Sequence, residues 1–320
     1  MRFTEEQLKG YAAPLSETEN QKCLNAIGMV RDALKESGMT DDHKLIKSLY
    51  PDTYAYSLEM RSTSTDRKIK IFIQGSYANN TCVRMESDVD IAIIQEDIFQ
   101  GEYRLGITST SYGFRSASTA GLSFKDEIQL ALTAKFGKDV KRGDKSIKVH
   151  GNAYRKDADT VPCRRLRDYT NDYRYDASNY IGGIAIHPDS GGTIINYPEQ
   201  HIENGCKKNV DTNRLYKRMV RIIKKMRNLM EDYGYASSKE VTSFGLESLL
   251  WNIPDYIYAK YPTTYRFIFG EVVNCAYNSR HRLDEYKEAN GIKMLCPTQA
   301  DIANYQSFLS DLFNFYKYDI

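Results

Sequence analysis

The residues best suited to chemistry lie close together in QGSYANNTCVRMESDVDIAII, positions 74 to 94. Asp88 and Asp90 stand two apart at the head of an apolar run. Alternate side chains of a strand share a face, so the two carboxylates point the same way. Each then raises the other's pKa unless a cation sits between them, and charge at the buried end of a strand is costly without a partner. A Lys or Arg would serve; so would a metal ion. Mg²⁺ favours carboxylate and phosphate oxygens and takes one or two protein carboxylates together with substrate phosphates. The chemistry this suggests is phosphoryl transfer.

A two-metal phosphoryl-transfer site takes a third carboxylate from a neighbouring strand. KDADTVPC, residues 156 to 163, offers Asp157 and Asp159 in a short β-like run ended by Pro162. Spacing does not choose between them, and Asp159, set deeper in the strand, is the better third ligand. Gly75 lets backbone approach a phosphate closely, while the Ser76 hydroxyl and N–H groups at a helix start can hold phosphate oxygens. Gly-Ser alone carries almost no information, and a lone D-x-D is usually a solvated strand edge. Here the D-x-D runs into Ile91-Ala92-Ile93-Ile94, a buried type of strand. With the turn and a distal Asp, the metal-site reading is the stronger.

Composition bounds what else the chain can be. Its 320 residues suffice for one large or two closely apposed domains. With 41% hydrophobic and 27% charged residues the chain is globular, and a net charge of +2 means that any basic patch is local. The six cysteines form no CxxC pair and no zinc-type cluster with His, so free thiols in a reducing cytoplasm are expected. There is no signal-peptide pattern, and no apolar run approaches the roughly 18 residues that span a bilayer. A soluble, cytoplasmic protein is expected.

The elements that must position these residues can be traced. Ser16 and Glu19 form a capping box for a helix from about 17 to 36, stopped by Gly38. Residues 68 to 74 alternate and read as a strand; after the Gly75-Ser76 turn, Val89 to Ile94 is another. Ser123 caps a helix closed by Gly137, and Ser146–His150 with Ala158–Val161 reads as a hairpin. Beyond about 205 the chain turns helical. Asn213 to Met230 carries Leu215, Met219, Ile222, Met226 and Leu229 on one stripe, with helices also near 240–253, 264–274 and 298–315. The fold class is α+β, with residues 1–205 as a catalytic core bearing a long N-terminal helix and 206–320 as a helical lobe. A cleft between them is the default ligand site.

Gly-Ser, then DVD opening a strand, then a distant Asp resembles the DNA polymerase β-like nucleotidyltransferases. INYPEQHIENGCKKN (195–209), YKRMVRIIKKMRN (216–228) and SFGLESLLWNIPD (243–255) are similar to the bacterial CD-NTases, the cGAS/DncV-like nucleotidyltransferases related to cyclic GMP-AMP synthase and oligoadenylate synthase. The resemblance runs from the first helix to about residue 262 and implies NTP substrates. It also implies a cyclic or linear oligonucleotide messenger that activates an effector protein in phage defence. By resemblance, Gly75 and Ser76 grip the donor phosphates. Asp88 and Asp90 hold two Mg²⁺ ions, replaceable by Mn²⁺. Asp159 holds the catalytic ion and helps deprotonate the attacking hydroxyl. Lys224 and Ser243 match triphosphate-binding positions, and Phe244 or Tyr197 offers a ring to stack on a base.

Other features have plainer readings. Lys217, Arg221 and Lys224 recur opposite the apolar stripe, and such a basic face is more often solvated than functional. His201 and Glu203 fit no zinc signature and read as a structural turn between the lobes; Trp251 reads as core. Two other functions compete: a nucleotidyltransferase that extends RNA or modifies a small molecule or protein, and an inactive nucleotide-binding relative. The near-neutral net charge and the lack of an appended RNA-binding module count against the first, and three intact acidic positions against the second. No obligatory nucleic acid and no membrane partner is expected. Some relatives are joined to other proteins through a small terminal residue, a control not expected of a chain ending Phe-Tyr-Lys-Tyr-Asp-Ile.

Overall fold

The structure, a computed structural model, describes residues 2–41, 49–50, 52–84, 88–117 and 121–316. The last four residues of the terminal sequence discussed above lie outside them. Helix α1 (Glu5–Ala12) is followed by α2 (Glu17–Glu36). Strands β1 (Met39–Asp41), β2 (Ser57–Ser62) and β3 (Lys68–Gln74) lead into a single-turn helix α3 (Gly75–Ala78), then the long β4 (Val89–Glu102). Helix α4 (Phe124–Phe136), the short β5 (Val140–Arg142) and β6 (Ile147–Val149), then β7 (Ala158–Asp168), β8 (Ile181–Ile186) and β9 (Ile194–Asn196) complete the sheet-bearing part. The remainder is helical: α5 (Pro198–Asp211), α6 (Tyr216–Asp232), α7 (Ser243–Trp251), α8 (Asp255–Ala259), α9 (Tyr265–Asn278) and α10 (Gln299–Phe315).

Local chemistry explains several boundaries. The Ser16 side chain accepts from the Glu19 amide, and the Glu19 carboxylate accepts from the Ser16 amide at 3.0 Å, so α2 begins where its capping box lies. Ser123 and Asp126 do the same for α4, and Gly137, at φ +54°, closes it. Helix α2 buries Cys23, Ala26, Ile27, Val30, Ala33 and Leu34. Each of the larger side chains contributes about 1.5–3 kcal/mol by leaving water.

Among the described residues the strands run in the order β1-β2-β3-β4-β7-β6-β5, with β8 on the far half of β7 and β9 on β8. Among the described strand pairs only β4–β7 is parallel. That pairing sets Asp90 opposite Asp159, and the register shifts between Gln95 and Phe99. Pro162 does not end the strand, contrary to the sequence reading. Strand β7 pairs with β6 up to Thr160 and with β8 from Cys163, so the missing proline N–H falls where β7 changes neighbour.

Two hydrophobic cores result. One lies between the sheet and helices α2 and α4. The other is built by α6, α7, α9 and α10, and also takes Phe3, Leu8 and Ala12 from the N-terminal segment. Trp251 is partly buried against this second core. Residue 205 falls within α5.

Helix α6 departs most from expectation. It begins at Tyr216 rather than 213, because Asn213 and Arg214 are held at φ +51° and +63°. Its basic face is not solvated. Lys217, Arg221 and Lys224 are 3%, 5% and 2% exposed. The Lys217 ammonium donates to the Asp52 carbonyl at 2.9 Å, and Arg221 donates to the carbonyls of Ala12 and Asn80. Charges at a helical spacing that looks like a wet face are here used to satisfy backbone carbonyls of the facing segments.

Candidate active site

The centre of the site is the point where β3 ends and β4 and β7 begin. Gly75 holds φ +69°, a conformation that side-chain-bearing residues rarely adopt. A Cβ built there would lie 2.0 Å from Asp90 Oδ2. Glycine is therefore demanded twice, by the backbone angle and by a carboxylate packed against it. Asp90 is paired across the sheet with Gln74 on one side and Asp159 on the other. Burial, then the charges of Asp159 and Asp88, push its carboxyl up to about 7, with Lys224 pulling the other way. Burial also raises Asp159, opposed by Lys148 and supported by Asp88.

Asp88, just ahead of β4, turns outward to Lys148, whose ammonium lies 2.9 Å from Asp88 Oδ2 and 2.9 Å from Asp157 Oδ2. Those two carboxylates hold the Lys148 ammonium well above its ordinary range. Asp157 also accepts from the Gly151 amide at 2.6 Å and is held below the usual carboxylate range, with burial opposing. The two candidates for the third acidic position thus differ in kind: Asp157 is tied to Lys148 and a backbone amide, whereas Asp159 faces Asp90 in register. Among the described residues, no group of three Asp, Glu, His or Cys side chains stands close enough to hold an ion as placed.

The other candidates come from the far side of the chain. The Lys224 ammonium lies 3.0 Å from Ser76 Oγ, so these two are brought together from different lobes. A cavity is lined by Gly75 and Asp90 on the sheet side and by Tyr197 and Phe244 on the other. Phe244 is 38% exposed and free to present a face, whereas Tyr197 is 7% exposed, with its hydroxyl 3.5 Å from Asp168. Tyr197 therefore forms wall more than platform. Ser243 is the first residue of α7, beside Phe244 and next to the Thr242 cap, outside the lining of that cavity.

The reading of His201 and Glu203 as a turn is corrected. Pro198 sits at the first position of α5, which runs unbroken through both. Glu203 is exposed, while His201 is buried and lies 3.0 Å from Glu247 Oε1. Residues two apart on a helix do not share a face, so HxE could not act as a pair here. Sequence reasoning missed Glu247, Lys148 and Asn79. Glu247, inside SFGLESLLWNIPD, was hidden in an apolar helix. Lys148 had a usable signal, alternating with the buried Ile147 and Val149.

The comparisons with known proteins agree with this architecture. Residues 203–317 match the model of the cGAS/DncV-like nucleotidyltransferase C-terminal helical domain. A protein of Staphylococcus schleiferi named cyclic GMP-AMP synthase CdnE03 is 45% identical over 319 residues, 99% of this chain and 98% of that one. The structure of Elizabethkingia meningoseptica CdnE cyclic dinucleotide synthase with GTP and Apcpp has a TM-score of 0.72 at 29% identity, covering 99% of this chain and 100% of the other. Rhodothermus marinus CdnE c-UMP-AMP synthase with Apcpp and Upnpp scores 0.75 at 26% identity, covering 99% of each chain. On the extent of these matches, from the first helix to α10, the chain belongs to the CD-NTases, the cGAS/DncV-like nucleotidyltransferases.

Proposed function

We propose that the protein joins NTPs into a cyclic oligonucleotide second messenger, in the cytoplasm, as part of antiphage signalling through a messenger-activated effector protein. The observation that carries this reading is that Asp90, in strand register with Asp159, lines a cavity that Phe244 also lines. Relatives that span nearly the whole chain are named as cyclic dinucleotide synthases, and two solved ones hold nucleotides or their analogues.

In this reading Gly75 and Ser76 receive the donor triphosphate, with Lys224 behind Ser76 and Ser243 at the α7 N-terminus. Phe244 stacks on a base, which requires only a π-face, while the Tyr197 ring walls the pocket. Asp159, in register with Asp90, accepts the proton of the attacking 2′- or 3′-hydroxyl. The family is one of divalent-metal enzymes, and the residues present fit such an ion: all donors are carboxylate oxygens, and Asp90 is a partly buried acid beside two others. Asp88, Asp90 and Asp159 would hold Mg²⁺, with Mn²⁺ able to substitute, once Asp88 turns from Lys148. Two such ions supply charge neutralisation on the phosphates and on the leaving pyrophosphate.

The test is a product assay. Each radiolabelled NTP in turn is incubated with the other three and Mg²⁺ or Mn²⁺, treated with phosphatase, and resolved by chromatography. A phosphatase-resistant oligonucleotide made by the wild type and absent from the Asp88→Asn/Asp90→Asn protein is expected. The same product from a folded double variant would overturn the site assignment.

A further inference from the structure

Five polar side chains that span both lobes close a ring on the Gly75–Ser76 turn. Lys224 Nζ donates to Ser76 Oγ at 3.0 Å and to Glu247 Oε2 at 3.0 Å. The other Glu247 oxygen, Oε1, lies 3.0 Å from His201 Nε2. Asn79 Nδ2 lies 3.3 Å from His201 Nδ1 and donates to the Gly75 carbonyl at 3.2 Å. A donor into Nδ1 and an acceptor at Nε2 are both satisfied by the histidine tautomer that carries its proton on Nε2. The path thus leaves the turn at Ser76 and returns to it at Gly75.

Every member except Ser76 is buried: Asn79 0%, Glu247 1%, Lys224 2% and His201 5% exposed. A charged pair so deep is not obviously stabilising against an apolar pair of similar volume, so its presence calls for a role. The geometry supplies one. An ammonium has three donors, and Lys224 also lies 3.2 Å from Thr81 Oγ1 and 3.3 Å from the Thr81 carbonyl. Its hydrogens are thus shared among groups already present. Because Lys224 donates to Ser76 Oγ, the Ser76 hydroxyl hydrogen must point elsewhere. His201 meanwhile packs edge-on against Phe244, with ring centroids 5.0 Å apart and planes at 88°.

We propose that Glu247 and His201 are positioning residues: through this ring they hold Lys224 against Ser76 and orient the Ser76 hydroxyl toward a nucleoside triphosphate. The proposal rests on the reading of the site given above. Glu247 touches no substrate; it acts through Lys224.

The experiment measures binding of the non-hydrolysable α,β-methylene analogue of ATP, with Mg²⁺, by calorimetry. Wild type, Glu247→Gln, Ser76→Ala and the double variant are compared. Loss of a hydrogen bond to a charged group corresponds to about ten- to a hundredfold in affinity, and Glu247→Gln is expected to weaken binding by that much. The double variant should bind no worse than Ser76→Ala alone, because both act on one contact. A general structural loss would instead multiply the two effects, and would overturn the proposal, as would wild-type affinity in folded Glu247→Gln. Should Glu247→Gln fail to fold, His201→Asn keeps the Lys224–Glu247 pair and carries the same cycle with Ser76→Ala. Failure of the wild type to bind the analogue would overturn the site reading first, and the proposal with it.

Discussion

Lys224 on α6 and Ser76 at the head of α3 are 148 residues apart in the chain and meet at 3.0 Å. The ammonium is simultaneously 3.0 Å from Glu247, and both charged side chains are almost wholly buried, at 3% and 2% exposed. Removing one partner of such a pair leaves the other charge uncompensated in a poorly solvated site. Lys224→Met is therefore expected to destabilise the protein by about 3–5 kcal/mol, and Lys224→Met with Glu247→Gln by clearly less. Urea unfolding of the three proteins checks this. A single variant that loses under about 1 kcal/mol would show that His201 and Thr81, which already contact Glu247, suffice to hold its charge.

Gly75→Ala brings a Cβ to 2.0 Å from Asp90 Oδ2 at a backbone angle of +69°. Backbone strain alone costs about 1–2 kcal/mol, and either Asp90 or the turn must also move. A displacement on the ångström scale at reacting groups costs about a hundredfold in rate. The expected result is a lower melting temperature together with at least that loss of product. Undiminished product formation would show that the Asp90 carboxylate need not sit where it is found.

Asp90 makes stability depend on pH in an identifiable direction. Burial and its acidic neighbours lift its folded pKa from 3.8 to about 7. Between those values the native state binds the extra proton, so stability falls as pH rises from about 4 to about 7 and the penalty is complete above. Asp90→Asn removes it. In EDTA, the variant should melt above the wild type at pH 8, by an amount on the order of a few kcal/mol, with the gap narrowing toward pH 5. A gap that widened on acidification would contradict the assigned burial.

Arg221 joins α6 to the backbone at Ala12 and Asn80, and burial with the nearby Arg218 depresses its guanidinium to about 10. Arg221→Ala orphans two carbonyls and should cost about 2–4 kcal/mol in urea unfolding. Arg221→Lys should restore little, because a compact ammonium lacks the rigid fork whose separate Nε and Nη1 donors reach carbonyls on two different segments. Full restoration by Lys would mean that charge, not geometry, is what the site uses.

Periodicity and capping chemistry sufficed for the elements made of local interactions. The α2 box of Ser16 and Glu19, the alternating KIKIFIQ strand and the α4 cap at Ser123 are written in neighbouring residues, and each formed where it was expected. The acidic pair at the head of β4 and the need for Gly75 were equally visible, because they depend on spacing along one strand and on one backbone angle. What lay beyond reach depends on contacts between distant segments. Spacing could not rank Asp159 over Asp157; the parallel β4–β7 register set the former opposite Asp90, while Lys148 and the Gly151 amide claimed the latter. Nor could it tell a wet basic face from a buried one, since Lys217, Arg221 and Lys224 acquire their partners from segments distant in sequence. Pro162 and His201 were misread for the same reason. A proline is tolerated where a strand changes neighbour, and a histidine becomes part of a charged network only when Glu247 arrives against it. Local propensity is a property of a few residues in sequence, whereas pairing and burial belong to the packed chain.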